Sequence, residues 1–548
     1  MDGLRLPPAK AVLLAVQLAT KADIQTLRTL ISQYRKTLHT DLVLRILLSH
    51  LPERTEPSEY VPFLEALVST SIQEDPDHPV DTTQIDELDD VEAKKRVRKL
   101  NLLPLRWPSA PEDAPDDPFV LFLIHRSLLI DANTGLIAQL PELLSPFLHH
   151  SGYLRTWMIS TILPLLRFNY EYHPEEVALL TIPKFEALND RAGVHLLLSR
   201  TGKNPENIFV GRDLRGLVGP WMYGDTLLKR RKLRSSPGVD IPIIQVNEAR
   251  ISEHKSAGWE EVFKWILSQA ATSWKTAVDV VEQWDGPGDV DLATYADGTK
   301  WLDEDDQLHL ERRYARVVLA TAYTIPETSE EILNGVQRLL TRIITLLDQD
   351  RIPTLQVAAS ILTPVPVFEH IKFSRKTAKH FREDLLDEDN PLTTPNGESI
   401  KLLHALLISA FICTRLRCPI GIRLAGTLVC LQDEDEQRNY FLMLMNRIAH
   451  GPKEDDKYWI RMRNELLWLR SWDEEEPSSP LTSGAKGRGI FGCLPKEFIE
   501  TELLKALLSN TRMFKHPQIS IANDHHQVIL WHGLFMRLPK RNHLERRL

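Results

Sequence analysis

The side chains that could do acid–base or metal chemistry occur here as neighbours and runs, without the spacing that brings them onto one site. His149-His150 and His525-His526 are adjacent pairs. Neighbours on a helix point in different directions, so neither pair offers two nitrogens to one ion. Cys413, Cys418, Cys430 and Cys493 contain no C-x-x-C, and four cysteines in 548 residues make no disulfide scaffold. They read as free thiols in a reducing compartment. The acidic runs Asp303-Glu304-Asp305-Asp306 and Asp433-Glu434-Asp435-Glu436 stand where helices are expected to begin. Carboxylates are favoured there by the helix dipole and by unpaired N–H groups. A catalytic acid pair needs one member shifted by burial, and nothing in these polar runs supplies that. Gly484-Ala485-Lys486-Gly487-Arg488-Gly489 has the glycines of a phosphate loop but not the spacing, and no strand leads into it. There is no H-E-x-x-H, no G-x-S-x-G and no EF-hand loop. The expectation is a protein without catalytic residues, metal or cofactor.

Two clusters suit binding better than chemistry. Lys229, Arg230, Arg231, Lys232 and Arg234 form a basic hexamer around Leu233, a candidate docking patch for an acidic partner. Nuclear import, lipid contact and a solvated helix face are the alternatives. Trp259, Trp265, Trp274 and Trp284, followed by Trp301, suit the seams between packed helices, with a partner groove as the alternative. The formal net charge of -9 gives no global basic field, so nucleic acid is not an expected partner.

The elements that must hold these residues are helices. Ile24, Leu27, Leu30, Ile31, Tyr34 and Leu38 recur at mostly three- and four-residue steps after Asp23, and Leu44, Leu47, Leu48 and Leu51 follow Asp41. Each acid is placed to cap its helix. The same spacing predicts helices at 57–68, 91–103, 118–130, 136–148, 153–168, 259–269, 274–284, 307–322, 329–347, 399–414, 436–450 and 459–472. The best strand candidate, Ile241 to Val246, is weakened by Pro242. No fixed repeat period emerges. The fold class is therefore all-α, an irregular α-solenoid of stacked antiparallel helix pairs. Residues 1–472 are expected to form this array, 473–489 a flexible linker, 490–512 a further helix and 513–548 an atypical tail. Glu74 to Asp90, Trp107 to Asp117 and Arg382 to Glu398 read as solvated connections. The N-terminal apolar run, Ala11 to Val16, is too short for a secretory signal, and Leu402 to Thr414 is short of the ~20 residues of a membrane span. A cytosolic or nuclear chain is expected, with any membrane attachment through partners.

Five blocks give the sequence a resemblance. The opening Ala9-Lys10-Ala11-Val12-Leu13-Leu14-Ala15 on to Asp23 is one. Tyr153-Leu154-Arg155-Thr156-Trp157 through Tyr170-Glu171-Tyr172 is the second. The others are Gly216-Leu217-Val218-Gly219-Pro220-Trp221-Met222-Tyr223-Gly224, then Trp284-Asp285-Gly286-Pro287-Gly288-Asp289-Val290-Asp291, then Ala322-Tyr323-Thr324-Ile325-Pro326-Glu327-Thr328-Ser329. In this order they resemble the fungal Sec thirty-nine domain family, which includes the neuroblastoma-amplified sequence protein of animals. The resemblance implies an irregular α-solenoid on the cytosolic face of the endoplasmic reticulum. It implies a subunit of the Dsl tethering complex that captures vesicles returning from the Golgi and engages SNARE proteins of the reticulum. No residue motif carries those contacts. The resemblance stops after Ser509-Asn510-Thr511-Arg512, and a truncated or misread C-terminus is expected there.

Overall fold

Asp23 ends one helix and starts the next, and its carboxylate accepts from the Thr26 N–H at 3.2 Å. Such a cap stabilises a helix by about 1 kcal/mol. Asp433 does the same for the N–H groups of Asp435 and Glu436, so the second acidic run is a helix start. In the first run, Glu304, Asp305 and Asp306 occupy the first turn of Glu304–Thr324. Asp41 does not cap. The helix begins one residue earlier, at Thr40, and Asp41 lies in its first turn.

The computed structural model describes residues 6–69, 71, 80–108, 110, 114–174, 180–201, 209–223, 248–296, 302, 304–452, 455–472 and 487–511. Among these the class is all-α and no strand occurs. The candidate strand, Ile241 to Val246, and the basic hexamer lie outside the described residues. Helices pack on their neighbours in the chain and on helices further along it. Pro8–Thr20 touches Ile24–Gln33 and Thr40–His50, Thr40–His50 touches Pro118–Thr134, and Ile24–Gln33 touches Pro57–Val68. The chain forms two compact units. One takes Met1–Glu327, Glu331–Ile352 and His380–His404; the other takes Thr328–Glu330, Pro353–Lys379 and Ala405–Leu548.

Prolines explain two departures from the expected helices. The single helix expected over 136–148 is three short pieces, Ile137–Gln139, Leu140–Leu144 and Ser145–Phe147. Pro141 and Pro146 each restart the helix because neither can donate the bond that continues it. The 153–168 helix is a rod from Gly152 to Glu171 containing two π-helical turns, Met158–Ile162 and Arg167–Glu171. Pro164 lacks the N–H that would reach Ser160, and the wide turn just before it absorbs the misfit.

The expected solvated connection from Arg382 to Glu398 is instead partly core. Leu385, Leu386 and Leu392 are buried, and Asn390 and Thr393 are 1% and 0% exposed. Its irregular backbone is held by Arg316, whose Nη1 donates to Asp387 O at 2.7 Å, Asn390 O at 3.2 Å and Thr393 Oγ1 at 3.2 Å, while Nη2 donates to Glu388 O at 2.9 Å. Of the expected linker, 473–486 lies outside the described residues. Gly487 to Gly489 are packed, with the Gly489 N–H donating to Arg470 O at 2.8 Å.

Gly397–Arg415 spans 19 residues and is apolar enough to cross a membrane, yet 78% of its most apolar window is buried inside the protein. It ends with the Arg417 N–H on Thr414 O at 3.0 Å, the Cys418 N–H on Cys413 O at 2.9 Å, and Arg417 at φ +64°. This stop brings the residues at its two ends, Cys413 and Cys418, into contact range. Cys413, Cys418 and Cys430 are buried and Cys493 is half-buried, and all four are thiols outside any disulfide. Burial pushes the Cys413 thiol well above its usual range and Cys430 up to about 12. Thiolate is the reactive form, so an aromatic disulfide reagent should label Cys493 alone in the folded chain and all four in denaturant. Mass spectrometry of the labelled peptides reads this out. Labelling of Cys413 at the rate of Cys493 in native buffer would contradict this burial.

Candidate functional site

Arg167 lies in an otherwise apolar helical run, so periodicity carries its charge inward. It is 6% exposed. A buried cation is tolerated only when its donors are used. Its Nη1 donates to Gly216 O at 3.0 Å and Asp291 O at 2.8 Å, and its Nη2 meets Asp291 Oδ2 at 2.9 Å. Gly216 sits in a third π-helical turn, Leu214–Val218, which packs against the Arg167–Glu171 turn. A Cβ at Gly216 would collide with the Tyr172 ring, and one at Gly211 with the Gln283 carbonyl, so both approaches require glycine.

The loop after Trp284 closes the junction. The Asp291 N–H donates to Arg215 O at 2.9 Å, Arg215 Nε lies 3.3 Å from Asp289 Oδ2, and Trp284 Nε1 donates to Asp289 O at 3.1 Å. Tyr314 Oη donates to Trp284 O at 2.9 Å, and burial raises the pKa of that phenol. Thus three of the five resembling blocks, those containing Tyr172, Gly216 and Trp284 to Asp291, meet around one guanidinium. The tryptophan cluster belongs to the same packing. Trp259 and Trp284 stack at 5.8 Å, Trp284 meets Tyr314 edge-on at 5.0 Å, and Trp265 is buried. Trp301 lies outside the described residues.

The buried carboxylates hold structure together in the same way. Asp213 is 1% exposed and meets Thr201 Oγ1 at 2.9 Å, His173 Nε2 at 3.1 Å and Arg212 Nη2 at 2.9 Å. Thr201 and His173 converge on the same oxygen, Oδ2, so this imidazole is bonded to the acid and not to the hydroxyl it would have to activate. Asp131 accepts from the Ile182 N–H at 2.7 Å, and burial raises its pKa against that bond. Glu465, 1% exposed, pairs with Arg415 and lies 3.6 Å from Arg461. Burial still raises its pKa. Of the histidine pairs, His150 Nε2 meets Asp117 Oδ2 at 2.9 Å, and His525-His526 lies outside the described residues. So do all five candidate docking residues, Lys229, Arg230, Arg231, Lys232 and Arg234.

The basic hexamer stands out in the sequence, while the buried arginines become apparent in the fold. The signal was available: Arg126, Arg167 and Arg316 each interrupt a run of core residues, and a charge on a buried face must find partners. The Arg167 junction makes a measurable distinction. Asp291 is 49% exposed, so water screens the ion pair and Asp291→Asn should cost under about 1 kcal/mol. Arg167→Met leaves two main-chain acceptors without a donor and should cost about 2–4 kcal/mol. Urea unfolding of the two variants compares them. Equal losses would mean that the ion pair, not the carbonyl clamp, carries the junction.

The chain matches the family model described as "Secretory pathway protein Sec39" over residues 12–524. No curated protein matches it. The family match runs past Arg512, where the resemblance had been expected to stop. It covers nearly the whole paired-helix array, including the junction where the shared blocks meet. The chain belongs to the Sec39 family of secretory pathway proteins.

Proposed function

We propose that this chain is a non-catalytic subunit of a vesicle tether for retrograde Golgi-to-endoplasmic-reticulum transport. It acts at the cytosolic face of the reticulum as a peripheral protein, binding reticulum SNAREs and other Dsl-complex subunits. The observation that carries this reading is the family match over residues 12–524. The fold supports it. Stacked helix pairs give stiffness and leave outer faces free for partners, and a SNARE helix would be recognised by apolar anchors at helical spacing. The buried acids and arginines are engaged in holding loops and layers, as a scaffold requires.

Capture with the tagged chain from detergent-solubilised membranes, read by mass spectrometry, tests the proposal. The expected result is reticulum SNAREs together with other tether subunits. Recovery of vesicle-coat or nuclear-transport proteins in their place would overturn it in favour of another helical scaffold.

A further inference from the structure

The segment Pro353–Lys379 combines two features that sit poorly in water. Val357 is 45% exposed, Ile361 65% and Val367 72%. An aliphatic side chain two-thirds exposed stands clear of its neighbours, whereas the wall of a groove would shield it. Around them the charge runs against the chain as a whole. The net charge is -9, yet Pro353 to Lys379 holds Lys372, Arg375, Lys376 and Lys379 against the single acid Glu369. All four bases are exposed.

The fold holds both features to one place. Trp468 Nε1 donates to Thr363 O at 3.0 Å, and the Val365 N–H donates to Trp472 O at 2.8 Å. The chain then returns. The Phe373 ring lies 5.8 Å from Phe368 and 6.4 Å from Trp472. The end of the apolar stretch and the start of the basic one are therefore pinned at the C-terminal end of Asp456–Ser471, by Trp468 in its last turn and Trp472 just after it. Pro364 and Pro366 preset the backbone between Ile361 and Val367.

We propose that Pro353–Lys379 is a bilayer-contact surface. Val357, Ile361 and Val367 enter the headgroup layer of a membrane containing anionic lipid, while Lys372, Arg375, Lys376 and Lys379 lie against its phosphates. Protruding aliphatics suit a deformable apolar phase, and the cations suit its surface charge. This contact is direct and adds to attachment through partner proteins.

The test is co-sedimentation of the full chain with phosphatidylcholine vesicles, with and without phosphatidylserine. Binding should require phosphatidylserine and weaken at high salt. Each cation near such a surface is worth roughly a five-fold change. The triple change Lys372→Glu, Lys376→Glu, Lys379→Glu should therefore cut binding by about a hundred-fold or more. Ile361→Ser with Val367→Ser should cut it about ten-fold while leaving the salt dependence in place. Both sets change exposed positions and should leave thermal unfolding unaltered. No binding to phosphatidylserine vesicles, equal binding to phosphatidylcholine alone, or binding indifferent to either set overturns the proposal. Asp473-Glu474-Glu475-Glu476 follows Trp472 in the sequence and is a competing occupant. Binding that emerges only after those acids become Asn and Gln would assign the surface to the chain's own acidic run and overturn the proposal as well.

Discussion

Replacing Arg316 with methionine should cost about 3–5 kcal/mol, a loss typical of removing one partner from a buried charged network. The side chain is 8% exposed and its guanidinium serves three carbonyls and the Thr393 hydroxyl in the Asp387 to Thr393 stretch. Burial, with the Arg313 charge next to it, lowers its pKa, but arginine stays protonated through the physiological range. Methionine fills much of the volume and supplies no donor, so each orphaned buried acceptor costs about 1–3 kcal/mol. Lysine should recover only part, because one ammonium cannot fork to four acceptors. Arg312, four residues back and exposed, is the control, and its change to methionine should stay within about 0.5 kcal/mol. Urea unfolding gives the energies. Amide hydrogen exchange should show Leu392, whose N–H donates to Asn390 Oδ1, losing protection first. An Arg316→Met chain as stable as the control would mean that this segment is held by its leucines alone.

Trp284→Ala should be comparably damaging, at about 3–5 kcal/mol. Trp284 is 0% exposed, stacks on Trp259, meets the edge of Tyr314 and donates to Asp289 O. Its removal empties a large volume and frees the Asp289 carbonyl at the edge of the Arg167 junction. The backbone nearby has little room to collapse. Gly286 sits at φ +105° with the Tyr314 ring where a Cβ would be. Trp284→Phe should keep the ring contacts and lose the hydrogen bond, for a smaller loss. In a double-mutant cycle with Trp259→Ala the two changes should fall short of additivity by about 0.5–3 kcal/mol, because both remove the same stacked contact. Strict additivity would show that the two indoles act in separate parts of the core.

Both results concern how a helical array without a repeat keeps its layers in register. Regular solenoids reuse one interface. Here the connections differ in length and conformation, so their polar backbones must be satisfied one by one. Arginine does this repeatedly. Arg126, 0% exposed, donates to Leu51 O and Pro52 O where one helix ends. Arg200 donates to Phe168 O and His173 O with its guanidinium 4.1 Å from the Phe168 ring centre. Arg167 and Arg316 do the same. Each reaches across between 27 and 124 residues of sequence, which ties a loop to a distant helix. A planar group with five donors suits carbonyls that follow no regular pattern.

The sequence by itself determined the helices, because their signals are local. Three- and four-residue apolar steps, Asp23 and Asp433 at helix starts, and prolines at ends all act within a turn or two. The boundaries Pro57–Val68 and Trp274–Gln283 could be read almost to the residue. Family membership was legible from five blocks of sequence, three of which meet at the Arg167 junction. The tertiary structure alone decided what is buried outside the helices. Arg382 to Glu398 has the composition of a solvated loop, and its leucines, with an arginine 71 to 77 residues away, take it into the core. Pro164 is a local mark of the π-helical turn at Met158–Ile162, whereas the turn at Leu214–Val218 leaves none, since Gly216 there is needed only because the Tyr172 ring packs against it. Nothing in the sequence around Val357, Ile361 and Val367 marks them as exposed. Their exposure follows from where Trp468 and Trp472 hold the chain, and periodicity, which sees only near neighbours, carries no record of that.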